Sequence, residues 1–344
     1  MEDVYDLIVL GTGPAGMAAA IYAGRYDLKT LVIGKEVGGM TNLAGEIENY
    51  PGFIGSGIDL MKKFEEQAKM FGAKFLNVHI EKLGVSGCRG VGVSEAGASA
   101  KEFVVNYGGG KVCGKSVIAA LGSEHRKLGI PGESEFLGKG VSYCATCDGN
   151  FFRGKTVAVV GGSDSAAKAA IYLASICKKV YVSYRQKKMR AEPINLDRIE
   201  GIKNIEIIYN TKPAEILGDK RVTGLRLVDS AGSQLKVVDG STASDGSQSK
   251  IVDGSASPES GERLLKVDGV FVEIGSTPLT QIVEGLGVEL EKGYIKVDKE
   301  GRTNVAGLFA AGDGTNNPFK QAITAAADGS LAAKAAYNFV KLGK

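Results

Sequence analysis

The chain contains no tryptophan, only two histidines and only five cysteines. Two imidazoles are too few for a His-rich metal site. Five cysteines are an odd and sparse set for 344 residues, which argues against a secreted disulfide scaffold. No apolar run reaches the roughly 18 residues needed to cross a membrane. The N-terminus lacks a basic region followed by an apolar core. The expectation is a cytoplasmic protein with no membrane partner. No block of five or six like charges is present, and the formal net charge is +3, so nucleic acid is not an expected partner. The longest basic cluster is Lys187-Lys188-Met189-Arg190, with Arg185 just before it.

At roughly 150 residues per domain, the length suggests two domains. Tyr5 to Leu10 is an apolar run ending at a glycine cluster. A small-residue helical pattern follows from Ala15 to Gly24, then a second apolar run from Thr30 to Ile33. That rhythm is βαβ, the start of a doubly wound sheet. It returns as a strand at Thr156–Val160, a turn at Gly161-Gly162-Ser163, a helix from Ala166 to Cys177 and a strand at Val180–Ser183. Two such starts imply two dinucleotide-binding units. Gly307 to Val340 reads as strand, Gly-Asp turn and Ala-rich helix without a fingerprint of its own, so it completes one of the earlier units. Segments 233–246 and 247–261 look like a tandem duplication with Asp-Gly turns, expected to be a polar loop or a loose hairpin.

Gly11-Thr12-Gly13-Pro14-Ala15-Gly16 fits G-x-G-x-x-G between a predicted strand and a predicted helix, the context the motif requires. The first glycine makes the turn, the second admits a pyrophosphate and the third lets helix and strand pack. The helix N-terminus then faces the phosphate charge. Glu36 lies 20 residues after Gly16, where a carboxylate binds a ribose hydroxyl. The alternative is a glycine-rich turn without a ligand.

Gly161-Gly162-Ser163-Asp164-Ser165-Ala166 matches G-x-G-x-x-A except at its centre, where Ser163 replaces glycine. Twenty residues after Ala166 stands the neutral Gln186, and no Asp or Glu occurs from Ser165 to Ala191. The basic cluster Arg185, Lys187, Lys188 and Arg190 suits a 2′-phosphate, so NADPH is expected rather than NADH. The alternative is a solvated basic turn on a nucleotide site that has decayed.

Cys144-Ala145-Thr146-Cys147-Asp148 is the most specific feature. Two cysteines at this spacing can cycle between dithiol and disulfide, one thiolate attacking a partner. A zinc site needs a second pair of ligands. Cys88, Cys113 and Cys177 are isolated from one another in sequence, and neither histidine is spaced as a metal partner. Asp148 is a candidate general acid or, alternatively, a helix N-cap. Cys177, on an apolar helical stretch, reads as core.

At these residues the chain resembles the low-molecular-weight thioredoxin reductase family. Matching blocks are Gly11–Gly16, Gly45–Phe53, Gly129–Glu133, Cys144–Gly149, Gly161–Ala166 and Ala310–Gly329. Glutathione-reductase-like enzymes instead carry the pair near the N-terminus and use a C-terminal histidine, and no histidine follows His125 here. The resemblance implies an α/β fold with two Rossmann-like domains, the FAD domain being discontinuous. Residues 1–124 and 274–344 would bind FAD. Residues 125–273 would bind the nucleotide and carry the CxxC pair, with the duplicated loop inserted at about 230–267.

By the same resemblance, Gly312-Asp313 would bind the ribityl–phosphate region. Lys320-Gln321-Ala322 would stand near the isoalloxazine, and Gly38, Gly39, Met40 and Asn49 on the other side. Met40 replaces a usual glutamine, and Lys320 a usual arginine. The nucleotide signature H-R-R-x-x-x-R reads Tyr184-Arg185-Gln186 and then Arg190. Cys147 would lie nearest the flavin, Cys144 would attack the substrate disulfide, and Asp148 would be the acid. One domain would rotate against the other about linkers near Ala120–Lys127 and Val272–Thr277. A homodimer and a thioredoxin- or glutaredoxin-like partner are implied as well. The competing functions keep FAD and the pair but use NADH, ferredoxin or reduced flavin, or run as a dithiol oxidase. A flavin-binding sensor is the non-enzyme alternative.

Overall fold

A computed structural model describes residues 4–44, 46–85, 102–230 and 262–344. The chain divides into two compact units. The first unit is Met1–Glu124 with Thr277–Lys344, and the second is His125–Ser276. The two crossings, Ser123–His125 and Ser276–Pro278, pair as a short two-stranded ribbon.

The first unit contains five parallel strands in the spatial order Lys74–Leu76, Thr30–Ile33, Val4–Leu10, Gly110–Ala119 and Leu308–Ala310. An antiparallel meander, Ile80–Val85 and Phe103–Tyr107, extends the sheet from Gly110–Ala119. Leu7, Ile8, Val9 and Leu10 are fully buried, as a strand covered on both faces requires. Leu7 and Val9 face the helices Pro14–Arg25 and Ala322–Leu342, while Ile8 and Leu10 join the opposite cluster. Those two helices are rich in alanine, so they approach closely: a Cβ on Gly329 would stand 2.0 Å from the Ala15 carbonyl oxygen.

The second unit repeats the arrangement with Ile205–Tyr209, Lys179–Tyr184, Thr156–Val160, Gly269–Val272 and Val141–Ser142, again all parallel. The helix Asp164–Ala174 covers one face. The antiparallel sheet Thr211–Gly218, Val222–Asp229 and Glu262–Lys266 packs into the cluster on the other.

The duplicated segment 233–261 lies outside the described residues. Its flanks pair directly, Val228 opposite Glu262, so the segment leaves and returns at one point of a hairpin. The expected loop bound of about 230–267 is therefore too wide. Glu262–Lys266 is a strand because Leu265 and Val267 are buried in the adjoining core.

Candidate active site

The Gly11–Gly16 turn leaves the carboxyl end of Val4–Leu10. Gly11 has φ +115°, and a Cβ there would stand 2.0 Å from the Ala120 carbonyl oxygen. A Cβ on Gly16 would meet the Gly11 carbonyl oxygen at 1.9 Å. These two glycines are dictated by the protein's own backbone. Gly13 differs: a Cβ there finds nothing nearer than the Gly38 carbonyl oxygen at 3.8 Å. Its extended backbone (φ −79°, ψ −173°) suits any residue, so its lack of a side chain leaves room for something outside the fold. The helix Pro14–Arg25 has no side-chain cap, so its first N–H groups remain to meet an anion. That set fits a dinucleotide pyrophosphate.

The first unit brings Gly38, Gly39 and Gly312 to the same turn and joins Asn49 to Gln321. Gly38 donates its N–H to the Thr12 carbonyl oxygen at 2.8 Å. Thr12 Oγ1 donates to the Glu36 carbonyl oxygen at 2.5 Å, while the Glu36 residue itself is exposed. Gly39 and Met40 open the short 3-10 turn Gly39–Leu43. Gly312 packs on Ala15, with an added Cβ 2.9 Å from the Ala15 Cβ. Asn49 Nδ2 donates to Gln321 Oε1 at 3.1 Å, across 272 residues of sequence. Gln321 also caps the Ala322–Leu342 helix in a capping box with Thr324.

Burial raises the Asp313 carboxyl above its usual range against the pull of Lys320. Burial lowers the Lys320 amine, which Asp313 and Asp328 partly restore. Lys320 Nζ lies over the Tyr294 ring, 4.3 Å from its centroid, and donates to the Thr315 carbonyl oxygen.

Sequence reasoning missed Asn42, whose Nδ2 donates to the Val37 carbonyl oxygen at 2.6 Å and whose amide packs on Gly38. It also missed Asp328, which accepts from Gly312 N–H at 3.3 Å and from Asn317 Nδ2 at 3.0 Å. Both lie inside or beside recognised blocks, but nothing local distinguishes them.

In the second unit, Gly161 (φ +151°) sits against the Glu273 carbonyl oxygen, 2.2 Å from an added Cβ. Gly162 lies on the Tyr184 ring, 2.3 Å from an added Cβ. Tyr184 is buried and donates its hydroxyl to Gln186 Oε1 at 3.1 Å. Ser163 has extended backbone and heads the helix Asp164–Ala174 without capping it. Ser165 is exposed in the first turn. Asp164 is turned inward: its Oδ1 accepts from Glu192 N–H at 2.7 Å and Asn195 Nδ2 at 3.0 Å. This carboxylate braces the basic loop. Arg190 N–H donates to the Gly162 carbonyl oxygen at 2.7 Å and Met189 is buried, leaving Arg185, Gln186, Lys187, Lys188 and Arg190 exposed on an anchored loop.

The redox turn follows the Val141–Ser142 strand. Cys144 and Cys147 form a disulfide, with Cα atoms 5.3 Å apart. Cys144 is the N-cap of the one-turn helix Ala145–Asp148, and its Sγ accepts from Cys147 N–H at 3.1 Å. Such a donor favours a thiolate at Cys144 once the bond opens. Ser142 Oγ accepts from Cys144 N–H at 3.0 Å, fixing the entry to the turn. Asp148 makes no side-chain cap to the 3-10 turn Gly149–Phe152, so its alternative as a helix cap is not met. Cys177 is buried, its thiol pushed up to about 11 by burial. No cluster of metal ligands occurs among the described residues.

Behind Cys144 lies a brace that sequence reasoning did not identify. Glu133, in the Gly129–Glu133 block, is buried and accepts from Leu128 N–H, Gly129 N–H and Tyr143 OH, each at 2.7 Å. Burial and this carboxylate raise the Tyr143 phenol well above its usual range. The Tyr143 ring stacks on His125 at 5.6 Å.

A family model described as pyridine nucleotide-disulphide oxidoreductase matches residues 5–329. The thioredoxin reductase of Listeria monocytogenes is 40% identical over 345 residues, covering 99% of the chain and 95% of the relative. That of Bacillus subtilis is 36% identical over 344 residues, covering 99% and 96%. The solved thioredoxin reductase of Lactococcus lactis superposes with TM-score 0.83 at 33% identity, covering 98% of this chain and 99% of that one. The T. acidophilum thioredoxin reductase gives 0.80 at 34% identity, again covering 98% and 99%. With a match over almost its whole length, the chain belongs to the pyridine nucleotide-disulphide oxidoreductase family.

Proposed function

We propose that the chain is a flavoprotein disulfide reductase. It passes electrons from NADPH, through FAD and the Cys144–Cys147 disulfide, to the disulfide of a thioredoxin- or glutaredoxin-like protein. The observation that carries the reading is a CxxC disulfide on the nucleotide-type unit of a chain with two dinucleotide turns. We assign FAD to the first unit and the nucleotide to the second. When bound, FAD accepts a hydride and returns an electron pair to a disulfide.

The chain's residues supply the rest. Gly11, Gly13, Gly16 and the uncapped helix behind them hold a pyrophosphate. Cys144, at its helix N-cap, is the thiolate that attacks the partner's disulfide, and Cys147 resolves the mixed disulfide. Asp148 supplies or accepts the proton. The balance is one NADPH and one proton consumed per disulfide reduced. A homodimer in the cytoplasm is part of the proposal and rests on family resemblance.

A second reading, a donor other than NADPH, is favoured by Ser163 and by the neutral Gln186. The test is anaerobic titration of the purified yellow protein with NADPH and with NADH, followed by assay on oxidised thioredoxin. Bleaching of the flavin band by NADPH, with thioredoxin reduction abolished in Cys144→Ser, supports the reading. Bleaching by dithionite but by neither nucleotide moves the assignment to another donor. Unimpaired thioredoxin reduction by Cys144→Ser overturns it.

A further inference from the structure

The two units place different residues at one equivalent position. In the first, Val4–Leu10 lies beside Gly110–Ala119 with Leu10 opposite Ala119. In the second, Thr156–Val160 lies beside Gly269–Val272 with Val160 opposite Val272. The next residue on the second strand of each pair is Ala120 or Glu273. Each donates its N–H to the carbonyl oxygen ending the neighbouring strand, Leu10 or Val160, at 2.8 Å. Each presses its own carbonyl oxygen on the first fingerprint glycine, Gly11 or Gly161. The first unit fills this position with a buried alanine; the second puts a partly buried carboxyl there.

The location is a ligand crevice by topology. In a doubly wound sheet the ligand lies at the carboxyl ends of the strands where their order reverses. That point falls between Thr156–Val160 and Gly269–Val272. Phe271 faces the cluster containing Ala166 of the helix Asp164–Ala174, while Val270 and Val272 face the opposite one. Strand alternation therefore puts the Glu273 side chain on the helix side, next to the fingerprint turn. No hydrogen bond or ion pair engages its carboxyl among the described residues. Burial alone raises that carboxyl to about 7, with no charged neighbour contributing. Near neutrality it can therefore either donate or accept a hydrogen bond.

The halves of a dinucleotide can then be allotted. The exposed basic loop beyond Lys179–Tyr184 suits the adenosine end, and the uncapped helix the pyrophosphate. The other half falls over Gly269–Val272. We propose that Glu273 positions the nicotinamide half of the dinucleotide through a hydrogen bond between its carboxyl and the ring's carboxamide. The proposal rests on the nucleotide half of the proposed function. An acid that stayed fully ionised would oppose the nearby pyrophosphate; this one does so only in part.

The test compares Glu273→Ala and Glu273→Gln with the parent protein by anaerobic stopped-flow bleaching of the flavin. The donors are NADPH and its 3-acetylpyridine analogue, which lacks the amide NH2. The alanine variant copies Ala120 of the first unit, so the position tolerates it sterically. Expected is a rise of about tenfold in the apparent dissociation constant for NADPH in Glu273→Ala, as loss of a buried hydrogen bond implies. Glu273→Gln should stay within about threefold, because an amide can still donate and accept. The preference for NADPH over the analogue should vanish in Glu273→Ala, and bleaching by dithionite should not change. An unchanged NADPH constant, or an unchanged preference, in Glu273→Ala overturns this assignment alone. A parent protein that neither nucleotide bleaches overturns both this assignment and the nucleotide donor.

Discussion

Two copies of one parallel core serve two purposes in this chain, and they differ most where their strands end. In the first unit the fingerprint turn is bordered by apolar or backbone groups: Ala120, Ala15 and the Gly312 turn. In the second the equivalent border carries Glu273, the inward carboxylate of Asp164 and an exposed basic loop. The edge strand also differs in chain order. Leu308–Ala310 comes last in its unit and leads to Gly312-Asp313, whereas Val141–Ser142 comes early in its unit and leads to Cys144. The same sheet edge thus presents the Gly312-Asp313 turn in one unit and the Cys144–Cys147 turn in the other. A shared fold fixes where a site lies; the residues ending each strand decide its chemistry.

The comparison can be broken most severely in the first turn. Gly16→Ala forces a Cβ to 1.9 Å from the Gly11 carbonyl oxygen, so it should cost at least about 3 kcal/mol and yield little yellow protein. Gly13→Ala, with 3.8 Å of clearance, should leave apoprotein unfolding unchanged while weakening FAD binding. Thermal unfolding and flavin absorbance separate the two outcomes.

Glu273 gives the next largest effect. Its folded pKa, about 7, stands above the ordinary 4.5, so folding favours the neutral acid. That contribution is full below about pH 4.5 and is lost as pH rises to about 7, a change of up to about 3 kcal/mol. Denaturation series at pH 5 and pH 8 should show the parent losing stability that Glu273→Gln keeps.

Asp164→Ala should cost about 1–2 kcal/mol by stranding Glu192 N–H and the Asn195 amide. It should also loosen the basic loop, read as weaker NADPH binding with FAD content unchanged. Ser163→Gly should have the smallest effect, tightening NADPH by about threefold. The Ser163 backbone is already extended, so only its side chain changes. No change on titration would mean that Ser163 does not face the nucleotide.

Much of the local structure was legible beforehand. Thr30–Ile33 and Thr156–Val160 are strands over the expected residues, because continuous apolar runs bounded by turn residues suit a strand covered on both faces. The glycine turns and the CxxC pair were legible because each rests on spacing within a few residues. The brace made by Asp164 was not legible: its partners, Glu192 and Asn195, lie a strand and a loop away.

The sequence alone determined the two βαβ starts, the glycine turns and the spacing of Cys144 and Cys147, all features of short-range sterics. Tertiary structure decided that Asn49 meets Gln321, that Glu133 braces Tyr143 behind the redox turn, and that Glu273 occupies the place of Ala120. Those pairings depend on strand register and on the return of distant segments to one sheet edge, and no local pattern carries that information.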